Sequence, residues 1–463
     1  MRPVNIFICF PVLGSLILAG PITNPDNEKQ VLPEVNDLAA GITSEVYPRE
    51  YLEDVFRRRT AAKHLRVERH IQEPELNPQP IRGEFGAPIL GGTNPELDRQ
   101  QPDHIHPPAT DNGNVPNLKW AFSDSKTRLL KGGWVREQLV TDLPPSKDIA
   151  AAQQHLVKGA IRELHWHRVA EWGIVFNGSI LISAVDENGQ NTAEVLNQWD
   201  IWYFPKGVGH AVQGLADQNE YLLVFDSGDF EATGTTFNIV DWLVHAPPEV
   251  LGKNFGVNAT EVFKNPPASN PYIKNANVSS TLTPPKSPSG ELKDKSSYVY
   301  KLSDVGFKSV PGGAGTLNII DSRNFPISTT IAATVVRVEP KGLREFHWHP
   351  NADEWLYFHS GTARATVFQG NGLARTFDFR PGDTAVFPDN TGHYIENTSE
   401  TEELVWVEIY KSDRVADIPL SQWLALTPPD LVAQLLNVSP EFVKSISKTK
   451  QVLVNQKTFQ HKA

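Results

Sequence analysis

Histidines recur in this chain at spacings that can hold a metal ion. His165 and His167 lie in the run IRELHWHRVAEW (161–172), and Glu171 follows four residues later. His347 and His349 lie in LREFHWHPNADEW (343–355), followed by Glu354. In an extended strand, residues two apart face the same side, so each His-x-His pair presents both imidazoles together. Neutral imidazole is the commonest metal ligand among side chains. His210 and His393 each stand five residues beyond a proline, Pro205 and Pro388, and supply a third imidazole from a later strand. Three imidazoles and one carboxylate leave positions open on an octahedral ion, which is a catalytic arrangement rather than a closed structural one. Glu171 shares the strand parity of His165 and His167. Glu354 does not share that of His349, so a turn or bulge must separate them. A lone His-x-His is more often two polar residues on one strand face. Its recurrence here, with the same later histidine and the same intervening tryptophan, sets that reading aside. There is no His-Glu-x-x-His and no Gly-x-Ser-x-Gly, so a zinc protease and an elbow-type serine hydrolase are excluded.

The elements that must position these residues are also duplicated. His165 and His347 are 182 residues apart, and Glu171 and Glu354 are 183 apart. Trp202-Tyr203-Phe204-Pro205 matches Ala385-Val386-Phe387-Pro388, and Trp242-Leu243 with Pro247-Pro248 matches Trp423-Leu424 with Pro428-Pro429. Similarity sustained at a near-constant offset means a duplicated domain. Each copy is a series of short apolar runs, such as 174–176, 179–184, 221–225, 330–338, 363–368 and 404–410, punctuated by Gly, Asn and Asp. That pattern specifies an all-β sandwich or barrel. Pro248–Phe255 and Pro429–Leu436 read as helices, each with proline in its first turn. The expected organisation is an export signal at 1–20, an N-terminal segment and extended arm at 21–117, and a first domain at 118–265. A Pro/Ser/Asn/Lys-rich linker follows at 266–297, then a second domain at 298–447 and a tail at 448–463. Residues 49–70 read as a charged helix, with Arg57-Arg58-Arg59 as a candidate processing site.

Arg2, the apolar run Ile6–Leu18 and the small pair Ala19-Gly20 have the form of a secretory signal, too short to span a bilayer. The expected location is therefore extracellular, without a membrane span. The one cysteine, Cys9, and the one methionine, Met1, both fall in that leader, so the mature chain would contain no sulfur. Such a chain resists oxidation, and one of 463 residues can bury enough core to dispense with disulfides. The net charge of −11 and pI near 5.7 exclude a nucleic-acid partner, which needs a basic face. Glycosylation sequons begin at Asn177, Asn258, Asn277, Asn397 and Asn437, with Asn258 and Asn277 the best placed.

Gly159, His165-x-His167, Glu171 and Gly178 together resemble the first cupin motif. Pro205-x-Gly207-x-x-His210 resembles the second, matched more loosely by Gly382, Pro388, His393 and Asn397. The flanking RELHWH, DxWYFP, LLVFD, RTFDF, GHYIEN and QWLA look like the fungal and bacterial bicupin oxalate decarboxylases and the related bicupin oxalate oxidase, over residues 80–450. The resemblance implies a duplicated cupin barrel, the jelly-roll form of the double-stranded β-helix. It implies two Mn2+ per chain, one on His165, His167, Glu171 and His210, the other on His347, His349, Glu354 and His393. It implies oxalate as substrate, dioxygen as partner, and a homo-oligomer, trimer or hexamer. It also implies that Arg162 and Arg344 bind the oxalate carboxylate and that Glu408 transfers a proton near the second metal. Strand parity alone points Glu163 inward instead, so the arginine roles require an irregular strand.

The lid over the first site decides the reaction that the resemblance implies. Loss of one electron from bound oxalate breaks the C–C bond, giving carbon dioxide and a formate-like radical anion; a nearby carboxylic acid then delivers the proton that makes formate. Here the lid reads Phe230-Glu231-Ala232-Thr233-Gly234-Thr235-Thr236-Phe237, one residue longer than the family's, and the family's glutamate position holds Ala232. Glu231, one place early, and Glu408 are the candidate donors. Without a donor the product is carbon dioxide and peroxide, the oxidase alternative; a storage or binding bicupin without catalysis is a third reading. Lys341 and Trp199 stand where the family carries turn glycines.

Overall fold

The computed structural model describes residues 78–263, 272–311 and 313–455. The leader, the segment 49–70 and part of the linker lie outside them. Among the described residues the chain is all-β with short helices, and no helix is long and apolar enough to cross a membrane.

Each repeat folds into two antiparallel sheets facing one another, a jelly roll. In the first repeat one sheet runs Asn191–Asn197, Ser179–Val185, Gly209–Gly214, Ile161–His167, Thr236–Asn238, with Ile273–Lys274 also on Ile161–His167. The facing sheet is built on Ile201–Phe204, Glu171–Asn177, Gln218–Phe225, Ala150–Val157 and Gly133–Gln138. The second repeat has the same plan. One sheet contains Gly392–Asn397 beside Leu343–Trp348, and the other contains Glu354–Ser360 beside Leu404–Tyr410.

The facing sheets are buried on both sides. Trp172, Ile174 and Phe176 point into a core shared with Trp355, Tyr357, Val407 and Ile409 of the other repeat. Val175 points into the first repeat's own interior with Trp202 and Phe204. Double burial is why 172–176 and 404–407 read as unbroken apolar runs instead of alternating ones. Polar side chains in the shared layer find partners across it: Trp355 Nε1 donates to Gln138 Oε1 at 2.8 Å, and Gln153 Nε2 donates to the Tyr357 hydroxyl at 2.6 Å.

The pairing also crosses between repeats. Lys119–Ala121, preceding the first repeat's strands, pairs with Asp383–Phe387 of the second. Val299–Tyr300, preceding the second repeat's strands, pairs with Ile201–Phe204 of the first. Each repeat thus edges its partner's sheet, an exchange invisible to periodicity. The N-terminal arm continues onto the second barrel through short helices Pro95–Gln100 and Pro102–Ile105, and Asp103 and Asp111 accept from Asp378 N and Thr376 Oγ1.

Trp199 at φ 74° and Lys341 at φ 61°, which stand in place of turn glycines, keep the left-handed backbone. Such a conformation costs a non-glycine residue about 1–2 kcal/mol. Trp199 offsets it by edge-on ring packing against Phe176, Phe307 and His359.

The exchanged strand makes a testable commitment. Lys119 Nζ is buried 3.1 Å from Asp383 and donates to the Asp378 carbonyl at 2.7 Å. Lys119→Ala leaves a buried carboxylate unpaired and should destabilise the protein by about 3–5 kcal/mol. A denaturant midpoint equal to wild type would show that the exchanged strand contributes no such anchor.

Candidate metal centres

His165 and His210 are direct cross-strand partners on neighbouring strands, and His167 ends the same strand as His165. Glu171 opens a central strand of the facing sheet, Glu171–Asn177, so the ion site lies between the two sheets. Glu171 therefore reaches the histidines through a turn between sheets, and the in-strand parity that it shares with His167 plays no part. Glu354 likewise opens its strand after the loop following Leu343–Trp348. All eight ligand residues are buried, and within each group of four the candidate ligand atoms lie within 4.8 Å of one another.

Backbone carbonyls set the direction of most rings. Nδ1 of His165 lies 2.6 Å from the Glu163 carbonyl, that of His210 2.8 Å from Val208, and that of His167 2.9 Å from Thr236 Oγ1. In the second centre His347, His349 and His393 face the carbonyls of Glu345, Ala416 and Thr391. A carbonyl can only accept, so Nδ1 carries the proton there and Nε2 turns its lone pair inward. The result is a concentration of bare acceptors. His347 and His393 bring their Nε2 atoms to 3.1 Å, and the buried Nε2 atoms of His167 and His210 and Oε2 of Glu354 have no hydrogen-bond partner. Facing lone pairs repel unless a cation sits between them, so this donor set fits a metal ion. Burial, with Arg162 and the neighbouring imidazoles, holds His165 far below the usual histidine range, and burial brings His167 and His349 down to about 4. Burial alone would raise Glu171, but His210 and His167 outweigh it and keep the carboxylate ionised.

Both arginines point inward because of one irregularity used twice. Pairing passes from His165–His210 to Arg162–Val212, and from His347–His393 to Arg344–Ile395, with a one-residue register shift in each. The bulge admits Arg162 and Arg344 to the interior. Glu163, which parity placed there, instead accepts from the backbone N–H groups of Tyr272 and Val240.

The centres differ in charge around those arginines. Arg162 donates to the neutral Asn238 Oδ1 at 2.9 Å and lies over the Tyr272 ring at 3.8 Å. Arg344 donates to the Asp417 carboxylate at 3.0 Å, with Glu408 Oε1 3.8 Å from its Nε. Burial and then the Glu354 carboxylate push Glu408 up to about 8, and its Oε2 accepts from the Tyr410 hydroxyl at 2.9 Å. Against burial, Arg344 and Lys450 hold Asp417 well below the usual carboxylate range. In the first centre Leu223 replaces Glu408, and Trp202 Nε1 donates to Glu171 Oε1 at 2.9 Å. Gly173 makes room for that indole: a Cβ there would lie 2.1 Å from Trp202.

In the lid Glu231 is half-buried and follows Phe230, whose ring stacks on Phe225 at 3.8 Å. Burial raises the Glu231 carboxyl, while Arg128 and Arg162 oppose the rise. Ala232, where the counted alignment puts the family's glutamate, is exposed. Asn238, Asp417, Tyr272 and Tyr410 were not singled out in the sequence. Tyr410 alone carried a signal, being two residues past Glu408 and so on the same strand face.

These paired jelly rolls, each with a buried three-histidine, one-glutamate cluster, define a two-domain metal-dependent enzyme scaffold. The cupin family model matches residues 121–262 and 308–444. A protein of Arthroderma benhamiae named "Probable oxalate decarboxylase" is 57% identical over 371 residues, 80% of this chain and 91% of that protein. A second from the same organism, "Oxalate decarboxylase", is 51% identical over 81% of this chain and 93% of its own length. The Bacillus subtilis oxalate decarboxylase structure at pH 4.6 superimposes with a TM-score of 0.79 at 42% identity, covering 83% of this chain and all of that one. The chain belongs to the bicupin oxalate decarboxylase family.

Two outcomes follow. His165→Ala and His347→Ala should each remove about one of two manganese ions per chain by elemental analysis; an unchanged metal count in both would refute the assignment. In metal-free protein, the unfolded chain takes up protons on His167 and His349 near pH 6.5 that the folded chain refuses until about 4. Stability should therefore fall as pH drops from about 6.5 to about 4. A flat thermal midpoint across that window would contradict neutral, preset imidazoles.

Proposed function

We propose that this chain is a manganese-dependent oxalate decarboxylase that works in its first barrel and uses Glu231 as proton donor. The observation that carries the reading is a half-buried lid carboxyl acted on by the same Arg162 that borders the first metal cluster and has a neutral hydrogen-bond partner. Manganese on His165, His167, Glu171 and His210 supplies a Lewis-acid anchor for one carboxylate and, with dioxygen, access to one-electron chemistry.

The residues of the chain do the rest. Arg162, braced by Asn238 and Tyr272, presents its guanidinium to the far carboxylate, and a planar fork matches a carboxylate in a paired geometry. Phe225 and Phe230 exclude water beside His167, which lies 5.0 Å from the Phe225 ring. Glu231 holds a proton where the carbon-centred anion forms. The balance is hydrogen oxalate to carbon dioxide and formate: one C–C bond breaks, one C–H bond forms, and there is no net oxidation. Arg344 is paired with the Asp417 carboxylate, which it shares with Lys450, whereas Arg162 has a neutral partner, so the second arginine is less free to take up the substrate carboxylate.

Three further parts of the reading rest on sequence and surface. The Ile6–Leu18 leader supports export, and Asn258 and Asn277 are exposed and open to glycosylation, whereas Asn397 is buried and donates to three backbone carbonyls. Trp242, Trp423, Leu431, Leu435 and Phe442 expose apolar surface on the helical segments, which supports a homo-oligomer, trimer or hexamer. The domains proper are 118–265 and 298–447, with strands exchanged between them.

Purified protein given oxalate under air should yield formate and carbon dioxide in near-equal amounts with little peroxide. Glu231→Gln should suppress formate and raise peroxide while leaving manganese content and oxalate affinity near wild type. Peroxide as the main product of the unaltered protein would overturn the decarboxylase reading. Formate surviving Glu231→Gln but lost in Glu408→Gln would move the donor to the second barrel.

A further inference from the structure

Asn238 holds the guanidinium on which the first site depends. It ends the short strand Thr236–Asn238, which follows the lid and pairs with the histidine strand Ile161–His167. Thr236 lies opposite His167 there, and Asn238 opposite His165. Residues two apart on a strand share a face, so Thr236 and Asn238 point together. Thr236 Oγ1 meets His167 Nδ1 at 2.9 Å, and Asn238 Oδ1 accepts from Arg162 Nη1 at 2.9 Å. Phe237 points the other way and stacks on Trp166 at 5.4 Å. One short strand thus fixes a metal-ligating imidazole and the inward arginine together.

The second repeat holds its arginine differently. The matching strand, Ile418–Pro419, puts Pro419 opposite His347, and proline offers no polar side-chain group there. Arg344 takes its partner from Asp417, one residue before that strand, at 3.0 Å. This sheet edge can therefore give a buried arginine an anionic partner, and the first repeat does without one: among the described residues Arg162 forms no ion pair. Arg162 is 2% exposed, so little water screens its charge or that of a neighbour. An amide oxygen satisfies a guanidinium N–H and leaves the positive charge whole. A carboxylate at the same place would occupy the fork and repel an incoming anion.

We propose that Asn238 is the positioning residue that sets the first site's affinity for a small dicarboxylate, by giving Arg162 a hydrogen-bond partner without charge. The inference rests on the reading that oxalate is bound in the first barrel beside Arg162. Asn238 acts through the guanidinium: its oxygen fixes one edge of the planar fork, and the remaining N–H groups and the full charge are left for a carboxylate. Aspartate is the informative replacement. It has nearly the size of asparagine and accepts the same hydrogen bond, but it adds a negative charge. Alanine removes the hydrogen bond and adds no charge. If Asn238 were only a brace, affinity would rank Asn, Asp, Ala; a role in charge ranks them Asn, Ala, Asp.

The test is oxalate affinity and turnover in manganese-loaded wild type, Asn238→Asp, Asn238→Ala and Arg162→Lys. KM and kcat are read from formate production, and oxalate binding without dioxygen from calorimetry. The introduced carboxylate stays charged beside the guanidinium, as Asp417 does beside Arg344. Asn238→Asp should raise KM and weaken binding by about tenfold to a hundredfold. The repulsion acts alike on bound oxalate and on the anion formed from it, so kcat at saturating oxalate should stay within about threefold of wild type. Asn238→Ala should weaken binding less than Asn238→Asp. Asn238→Glu against Asn238→Gln repeats the charge comparison at a second side-chain length, so the test survives a variant that fails to fold, and Asn238→Glu should bind more weakly. Manganese content and thermal midpoint check that lost affinity is not lost structure. Wild-type affinity in Asn238→Asp, weaker binding in Asn238→Ala than in Asn238→Asp, or a loss confined to kcat overturns the proposal. If Arg162→Lys weakens binding in the same series, the first barrel stands as the oxalate site and only the role of Asn238 falls. Binding unchanged in both Arg162→Lys and Asn238→Asp is the failure of the first-barrel reading, and the proposal falls with it.

Discussion

Everything in this molecule is arranged around a repulsion. In each barrel three imidazoles and a carboxylate converge in a buried space, with lone pairs facing one another at about 3 Å. In the metal-free chain that convergence is unfavourable, because buried acceptors without donors carry a desolvation penalty of about 1–3 kcal/mol each. The fold tolerates it because the rings cannot turn away. Most are pinned through Nδ1 to a backbone carbonyl, that of Glu163 or Glu345 on the histidine strands themselves or that of Val208, Thr391 or Ala416 in the adjoining turns and loops. Rigid second contacts of this kind prepare a site for a cation before it arrives.

From that constraint the rest follows in order. Two facing sheets are needed because Glu171 and Glu354 must approach from the side opposite the histidines. A bulge is needed because a regular strand that aims His165 inward must also aim Glu163 inward and turn Arg162 out. The duplication then allows divergence on a common frame. The first barrel keeps a neutral partner on Arg162 and ionisable groups near its lid. The second pairs Arg344 with Asp417 and links Glu408, Tyr410, His349 and Glu354 in a closed network. The same four ligands thus sit in one barrel whose arginine has a neutral hydrogen-bond partner and in another whose arginine has an anionic one, with Arg344 Nε and Nη1 left without hydrogen-bond partners.

Much of this was legible in the chain. The eight ligands follow from residue type, spacing and repetition, and the barrel follows from the rhythm of short apolar runs. The helices at Pro248–Phe255 and Pro429–Leu436 were readable because proline begins each and a left-handed Gly256 or Asn437 ends it. What could not be read depends on contacts distant in sequence. The bulge leaves no local mark at Glu163, because period-two alternation continues through it. The exchange of Lys119–Ala121 and Val299–Tyr300 concerns which sheet edge lies nearest, which alternation does not encode. Asn238 and Asp417 are single polar residues whose role exists only because a buried arginine reaches them. The turn at Trp199 keeps a glycine-like backbone, which residue type alone does not announce.

The central claim is that the first barrel binds and cleaves oxalate because its arginine is left unneutralised. Formate production per bound manganese, compared between Arg162→Lys and Arg344→Lys under acid conditions, tests it most directly. Lysine keeps the charge but loses the fork, a loss of about 1.5–3 kcal/mol for hydrogen bonds to a charged group. Arg162→Lys should lower the rate by about tenfold to a hundredfold with manganese retained, and Arg344→Lys should leave the rate per manganese near wild type. Equal losses in both variants, or a loss confined to Arg344→Lys, would contradict the assignment.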